Sequence, residues 1–120
     1  MINNQNSKQY DLEERTLEFT KEVIKFVRTL PGTIANTEIA KQVIRSSGSV
    51  GANYIEANES LSKKDFVMRI KICRKESKES LYWLKLVEIR NPDGEEKRGT
   101  LIEEATQLTR IFSSIVEKSK

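Results

Sequence analysis

Apolar residues recur every three to four positions in four separate segments of this 120-residue chain. That period places the apolar side chains of each segment on one face of an α-helix, and no segment shows the period of two typical of a half-buried strand. The predicted helices are residues 12–30, 37–59, 63–90 and 101–118. Because most of the connections are short, consecutive helices are expected to be antiparallel. The sequence therefore predicts an all-α, antiparallel up-down four-helix bundle in a single domain over residues 1–120.

Each predicted helix begins near a residue that can cap it. The residues that we assign to these helix starts are Asp11, Asn36, Ser62 and Thr100. Their side-chain oxygens can accept hydrogen bonds from the otherwise unpaired N–H groups of a first helical turn. We expect residues 1–10 to be disordered and residues 95–99 to form a solvated loop. The apolar face of the second helix is predicted to include Ile44 and Ile55.

The composition argues against most enzyme chemistry. Histidine is absent, which removes the commonest general base and metal ligand, and the single cysteine, Cys73, excludes a disulfide framework or a zinc site of several thiolates. Glu76 with Glu79, and Glu56 with Glu59, form paired carboxylates, but di-iron bundles combine such glutamates with Glu-x-x-His. We therefore predict a protein that is not an enzyme, with no catalytic, cofactor-binding or metal-ligating residues. A carboxylate-based metal enzyme is the least favoured alternative.

Hydropathy gives an expectation about location. No apolar run approaches the roughly 20 residues that a membrane-spanning helix needs. The first residues also lack the basic and apolar regions of a signal peptide. The sequence therefore predicts a cytoplasmic protein with no membrane partner.

The third predicted helix carries two apolar faces. The face opposite its core side contains Met68, Ile72, Trp83 and Leu86. A helix in a minimal bundle needs one apolar stripe, and a contiguous exposed apolar patch usually marks an interface. We therefore predict that these four residues form a contact between copies of the chain. The alternative is that helix ends and loops cover them.

The second predicted helix has an unusual polar row on its outer side. Its hydrogen-bonding members are Arg45, Ser49, Asn53 and Glu56. The Arg45 guanidinium can donate to a carboxylate such as Glu76 or Glu79, from its own chain or a neighbour's. Gly48 and Gly51 lie nearby and allow close helix approach. We predict a polar network at a helix-helix or subunit contact, and the alternative is a solvated face.

Positive charge concentrates in the third predicted helix. Residues 63–90 contain nine basic and four acidic side chains, although the whole chain carries a net charge of only +3. Five of the basic residues share one flank: Lys71, Arg74, Lys75, Lys78 and Lys85. Such a stripe can neutralise the phosphates of a nucleic acid. No phosphate-binding loop, aromatic platform or reader motif accompanies it, so we expect binding that ignores base sequence and weakens with salt. A merely solvated flank is the alternative.

The stretch from Gln42 to Leu86 resembles the four-helix bundle proteins related to the 23S ribosomal RNA intervening-sequence proteins. The resemblance rests on the pattern R-x-x-x-S-x-x-x-N-x-x-E, which begins at Arg45, and on a following helix with E-x-x-E, which begins at Glu76. Glu59 departs from the glycine-containing end of this motif in many relatives. The motif positions in this chain are Arg45, Ser49, Asn53, Glu56, Glu76 and Glu79.

The resemblance implies a homopentamer, in the form of a ring with a central channel. It also implies kinship with the accessory protein of diversity-generating retroelements, which binds a reverse transcriptase and nucleic acid. Together with the basic flank, it predicts a non-enzymatic, homo-oligomeric accessory protein that binds nucleic acid or ribonucleoprotein. The alternative is a protein-binding scaffold whose flank docks an acidic partner.

Overall fold

Four helices make up the computed structural model, which describes the backbone of residues 4–120 and the side chains of residues 12–120. The helices are α1 (Asn4–Val27), α2 (Ile34–Asn58), α3 (Lys63–Leu84) and α4 (Pro92–Lys118). No β-strand occurs within residues 4–120. The prediction of an all-α fold with four helices is confirmed.

Each helix packs against the next one in the chain, and α1 also contacts α4. Hydrogen bonds show the relative direction of α2 and α3. Ser46 and Ser80 share one at 2.8 Å between their Oγ atoms, and Cys73 Sγ donates to the carbonyl of Val50 at 3.4 Å. The partner's number falls as the number along α2 rises, so these two helices are antiparallel. This neighbour order is that of an up-down bundle.

One continuous apolar core receives side chains from all four helices. Its fully buried members include Val23, Val43, Val50, Ile70, Leu84, Leu108 and Phe112. Between α2 and α3 the core contains small side chains: Ser46, Ser77 and Ser80 are all fully buried. α1 and α2 also approach closely, since a Cβ at Gly51 would lie only 3.1 Å from Thr16 Oγ1. The close approach expected at Gly51 is therefore made to α1.

The start of α2 differs from the prediction. The N-cap is Thr33, whose side chain accepts a hydrogen bond from the Asn36 amide at 3.0 Å, so the helix begins at Ile34 and not at 37. Asn36 is instead buried between two turns. Its Nδ2 donates to the carbonyls of Pro31 and Glu88, both at 3.0 Å, and its Oδ1 accepts from the Glu88 amide at 2.9 Å. The assignment of Asn36 as a cap was wrong because the residue has a partner 52 positions away.

The α3–α4 connection also differs. α3 ends at Leu84, not at 90, and Arg98 Nη1 donates to the carbonyl of Val87 in the following segment at 2.8 Å. α4 begins at Pro92, because Asn91 caps it by accepting from the Gly94 amide at 2.6 Å and proline suits a first helical position. The predicted loop at 95–99 is therefore helical. The assignment of Thr100 to the helix start was wrong for the same reason.

The two remaining helix starts have different outcomes. Ser62 caps α3, since its Oγ accepts from the Asp65 amide at 3.1 Å as predicted. α1 begins at Asn4, so the backbone of residues 4–10 is helical where we expected disorder. Residues 1–3 and the predicted cap at the Asp11 side chain lie outside the described part of the structure.

Candidate functional site

A polar network joins α2 to α3 along one side of the bundle. Arg45 bridges two carboxylates of α3, with Nη1 3.4 Å from Glu76 Oε2 and Nη2 paired with Glu79. Ser49 Oγ donates to the same Glu76 oxygen at 3.2 Å. Both carboxylates belong to the same chain as Arg45. This cluster therefore joins the two helices within a single chain.

The network continues towards the start of α3. Asn53 Nδ2 donates to the Ser49 carbonyl at 2.9 Å and to Ser49 Oγ at 3.0 Å. Arg69 Nη1 of α3 completes this end by donating to Asn53 Oδ1 at 3.0 Å. Glu56, the remaining motif residue of α2, is exposed and has no side-chain hydrogen bond or ion pair among the described residues. Five of the six motif residues are thus brought together, and Arg69 joins them without having been predicted.

Glu76 is the most buried member of the network, at 6% exposure. A buried carboxylate is costly unless it is paired with a cation and hydrogen-bonded. Arg45 and Ser49 satisfy Oε2, and the hydrogen bond to Glu76 raises the pKa of Arg45 above its ordinary value. Oε1 has no hydrogen-bond partner within the described chain. The burial of the Glu76 carboxylate is thus compensated mainly by its ion pair with Arg45.

Glu79 links the network to the aromatic side chains of α3. Trp83 Nε1 donates to Glu79 Oε1 at 3.3 Å. Burial alone would raise the pKa of Glu79, but the hydrogen bond from Trp83 and the charge of Arg45 outweigh it, so the pKa lies below its ordinary value. The Trp83 ring in turn contacts Tyr82 edge-on, with 5.1 Å between centroids and an interplanar angle of 75°. Trp83 is thereby held by both a polar and an aromatic contact.

The predicted second apolar face of α3 is uncovered. Met68 and Leu86 are 48% and 49% exposed. Ile72 and Trp83 are half-buried, and Trp83 packs partly against the core. The face is therefore open at Met68 and at Leu86, just beyond the end of α3, and partly covered at Ile72 and Trp83.

A further set of exposed apolar side chains lies on α1 and α2. Ile44 and Ile55, which we expected in the core, are exposed, as is Leu17 of α1. The core side of α2 is occupied by Val43 and Val50, and the residue next to a core position is rotated about 100° away from it on a helix. Placing Ile44 and Ile55 in the core was therefore wrong.

Four of the five basic side chains predicted to share a flank lie on one side of α3, and the fifth, Lys85, is the C-cap residue that follows it. Lys71, Lys75, Lys78 and Lys85 are exposed, and Arg74 is half-buried. Among the described residues, no ion pair involves any of these five. The two acidic residues in the middle of α3 face α2 instead and are paired with Arg45. The positive charge of this flank is consequently not neutralised by ion pairs within residues 12–120.

An acidic groove of about 1150 Å³ opens on the other side of the molecule, between α1 and α4. Seven acidic and three basic residues line it, including Glu14, Glu18 and Glu22 at helical spacing along α1. Arg15 crosses the groove, with Nε and Nη2 each 2.8 Å from a carboxylate oxygen of Glu104. Sequence reasoning missed this groove, although the four-residue spacing of the glutamates was a usable signal.

Cys73 has no feature of a reactive thiol. It is fully buried, and burial raises its pKa to about 12. A thiolate is the reactive form of cysteine, so a thiol in this environment behaves as a small apolar side chain. In the part of the chain that the structure describes, no group of three or more His, Cys, Asp or Glu residues is arranged to hold a metal ion.

These features define a four-helix bundle protein whose second and third helices are joined by a polar network of arginine, serine, asparagine and glutamate. Residues 8–114 match the family model of the 23S rRNA-intervening sequence protein, and the chain belongs to that family. No curated protein matches the sequence.

A solved structure supports the same assignment. The chain is similar to a protein of unknown function from the S23 ribosomal protein family of Bacteroides thetaiotaomicron, with 26% identity and a TM-score of 0.77. The similarity covers 92% of this chain and 98% of that one. Among the described residues, no helix is long and apolar enough to cross a membrane.

Proposed function

We propose that this protein is a non-enzymatic, cytoplasmic homo-oligomer that acts as an accessory factor by binding nucleic acid or ribonucleoprotein through the basic flank of α3. The observation that carries the proposal is that Lys71, Arg74, Lys75, Lys78 and Lys85 form no ion pair with any other described residue. Unneutralised cations along one helix can replace the counterions of a phosphate backbone.

Few free carboxylates lie next to the basic flank on the α2-facing side of α3 and in the neighbouring stretch of α4. Glu76 and Glu79 lie on the α2 side of α3, where Arg45 pairs with both. In α4, the neighbouring helix, residues 105–116 contain one charged side chain, and that side chain is Arg110. No carboxylate from this stretch of α4 is therefore available to neutralise the lysines. Because none of the lysines belongs to a base-reading motif, binding is expected to be indifferent to sequence.

Two uncovered apolar faces support assembly. One face contains Met68 of α3 and Leu86 just beyond its end, and the other contains Ile44 and Ile55 of α2. Contact between unlike faces of successive copies is heterologous, and such contacts close into rings when the rotation allows. Five copies is the number that the family resemblance implies. A ring would repeat the basic flank and raise the effective concentration of phosphate contacts.

A salt series tests the binding proposal. We expect single-stranded and double-stranded RNA to bind at low salt and to dissociate steeply as salt rises. The double variant Lys75→Gln/Lys78→Gln should weaken binding and reduce the slope of log K against log salt by roughly 1.4 to 1.8. The control Lys21→Gln/Lys118→Gln removes the same charge from exposed positions elsewhere and should leave the slope almost unchanged.

Two outcomes would contradict the proposal. If the unaltered protein fails to bind any nucleic acid at low salt, the basic flank has another role, and docking of an acidic protein becomes the better interpretation. If the control variant lowers the slope as much as the flank variant does, the attraction comes from net charge and not from α3.

Light scattering tests assembly. The unaltered protein should have a mass several times that of one 13.8 kDa chain. Trp83→Ala and Met68→Ala should lower that mass, whereas Lys21→Gln should not. A protein that remains a single chain at micromolar concentration would refute the oligomer, whatever the result of the binding experiment.

A further inference from the structure

An exposed aromatic ring lies within the basic flank of α3. Tyr82 is 59% exposed even though its edge-on contact with Trp83 covers part of the ring. Tyr54, by comparison, is buried in the core and packs against Phe112. The Tyr82 ring is thus open to solvent on the same helix as three exposed lysines of the basic flank, Lys71, Lys75 and Lys78. The basic flank therefore has the aromatic platform that the sequence pattern did not reveal.

Tyr82 is in register with the lysines. It follows Lys78 by four positions and Lys71 by eleven, and both separations return a helix to nearly the same face. With a rise of about 1.5 Å per residue, the Cα of Tyr82 lies about 6 Å along the helix axis from that of Lys78, and Lys85, the C-cap residue, follows three positions later. Cationic side chains thus occur on both sides of the ring. A strand whose phosphates followed these lysines would pass directly over it.

The polar network contacts Trp83, the side chain against which the Tyr82 ring packs. Arg45 pairs with Glu79, Glu79 accepts a hydrogen bond from Trp83 Nε1, and Trp83 contacts Tyr82. This chain of contacts restricts the rotamers of both aromatic side chains before any ligand arrives. A platform that is already ordered loses less conformational freedom on binding. The network that carries the family motif and the exposed ring are therefore parts of one arrangement.

We propose that Tyr82 stacks against a base of single-stranded nucleic acid while the flanking lysines contact the adjacent phosphates. This inference rests on the proposed nucleic-acid binding and names its ligand class. Stacking requires an open base face, which a single strand offers and a duplex does not. Arg45 and Glu79 act as positioning residues, because they reach the ring only through Trp83.

The test compares two forms of one strand. Fluorescein-labelled oligouridylate is titrated with protein at several salt concentrations, alone and after annealing to oligoadenylate. Loss of one stacked base should weaken single-strand binding of Tyr82→Ala by roughly 5- to 150-fold and leave duplex binding unchanged. Tyr82→Phe should retain single-strand affinity. The salt slope of Tyr82→Ala should equal that of the unaltered protein, because no cation is removed.

Matched variants separate stacking from other effects. Leu17→Ala, which removes an exposed apolar side chain from α1, should not alter single-strand binding. Glu79→Gln should weaken it less than Tyr82→Ala does, since the ring is still present but less well held. The lone tryptophan, Trp83, gives a second readout, because its fluorescence should change on addition of oligouridylate and not on addition of the duplex.

Three results would overturn the inference. If Tyr82→Ala binds oligouridylate as the unaltered protein does, the lysines bind without stacking, and the proposed function survives alone. If Tyr82→Ala lowers the mass of the assembly and leaves binding intact, the ring is covered by another copy. If the unaltered protein binds neither probe at low salt, the proposed function fails and this inference fails with it.

Discussion

The α2–α3 seam and the α1–α4 seam are each crossed by an arginine that pairs with a carboxylate, yet the two seams differ in packing. Between α2 and α3, the bridge from Arg45 to Glu76 lies beside buried serines, and Glu76 is almost fully enclosed. Between α1 and α4, the bridge from Arg15 to Glu104 spans an open groove, and these side chains are 27% and 26% exposed. An arginine–glutamate ion pair therefore lies within a packed interface between α2 and α3, whereas the ion pair between α1 and α4 spans an open groove.

The difference also explains how charge is distributed over the surface. Closure of the α2–α3 seam turns Glu76 and Glu79 towards Arg45 and leaves the outer flank of α3 basic. The open α1–α4 seam keeps its glutamates in solvent, where seven acidic residues line one groove. Tight packing thus removes carboxylates from the basic side, and loose packing retains them on the acidic side. A nearly neutral chain acquires two oppositely charged surfaces in this way.

The largest expected effect comes from enlarging a side chain in each seam. Ser46→Leu places a large side chain at a fully buried position opposite Ser80 and should lower the free energy of unfolding by about 3 kcal/mol. Thr100→Leu makes a comparable change at an exposed position lining the groove and should alter it by less than about 0.5 kcal/mol. Urea denaturation followed by circular dichroism measures both. Equal effects would mean that the α2–α3 seam is no more tightly packed than the groove.

An intermediate effect is expected from removing each arginine. Arg45→Ala leaves the buried Glu76 carboxylate without its cation and should cost about 2 kcal/mol of unfolding free energy. Arg15→Ala leaves Glu104 partly hydrated, and the cost should be about 1 kcal/mol. Arg45→Lys retains the charge but not the geometry that reaches two carboxylates, and should recover part of the loss. A larger cost for Arg15→Ala in the same urea experiment would reverse this ranking of the seams.

The smallest effect concerns acid. The pKa of Glu79 is lowered in the folded protein, so its ionised form adds stability at pH values above its unfolded pKa of about 4.3, and this contribution is lost as pH falls through the lower folded value. Glu79→Gln should therefore reduce the loss of stability between about pH 5 and pH 3. Chemical denaturation across that range measures the change. An identical pH profile for Glu79→Gln and the unaltered protein would show that Arg45 and Trp83 do not favour the ionised form.

The features that depend on periodicity alone could be predicted from the sequence. Four apolar stripes indicated the four helices, and the row from Arg45 to Asn53 indicated a polar network with Glu76 or Glu79 as candidate partners. A helical repeat determines which residues share a face, so both inferences needed only local information.

Features that depend on a distant partner could not be predicted in the same way. Asparagine is a typical N-cap residue, but the Asn36 side chain forms hydrogen bonds with the backbone of Glu88 in the α3–α4 connection. Ile44 fits an apolar stripe, but the close approach of α1 at Gly51 decides which side of α2 is enclosed. Tyr82 was overlooked although its spacing from Lys71 and Lys78 placed it on their face of α3, and only the structure shows that its ring stays 59% exposed beside Trp83.

The buried Asn36 has a consequence for the time course of folding. Its amide joins the α1–α2 turn to the α3–α4 connection, and although its bond to Pro31 is local, its two hydrogen bonds with Glu88 can form only after these two connections have met. Interactions of this kind are absent from an early transition state, and their loss then speeds unfolding without slowing folding. In a stopped-flow chevron, we expect Asn36→Ala to leave the refolding rates unchanged and to raise the unfolding rates. One side chain at the end of the bundle thus sets how long the native state persists more than how quickly it is reached.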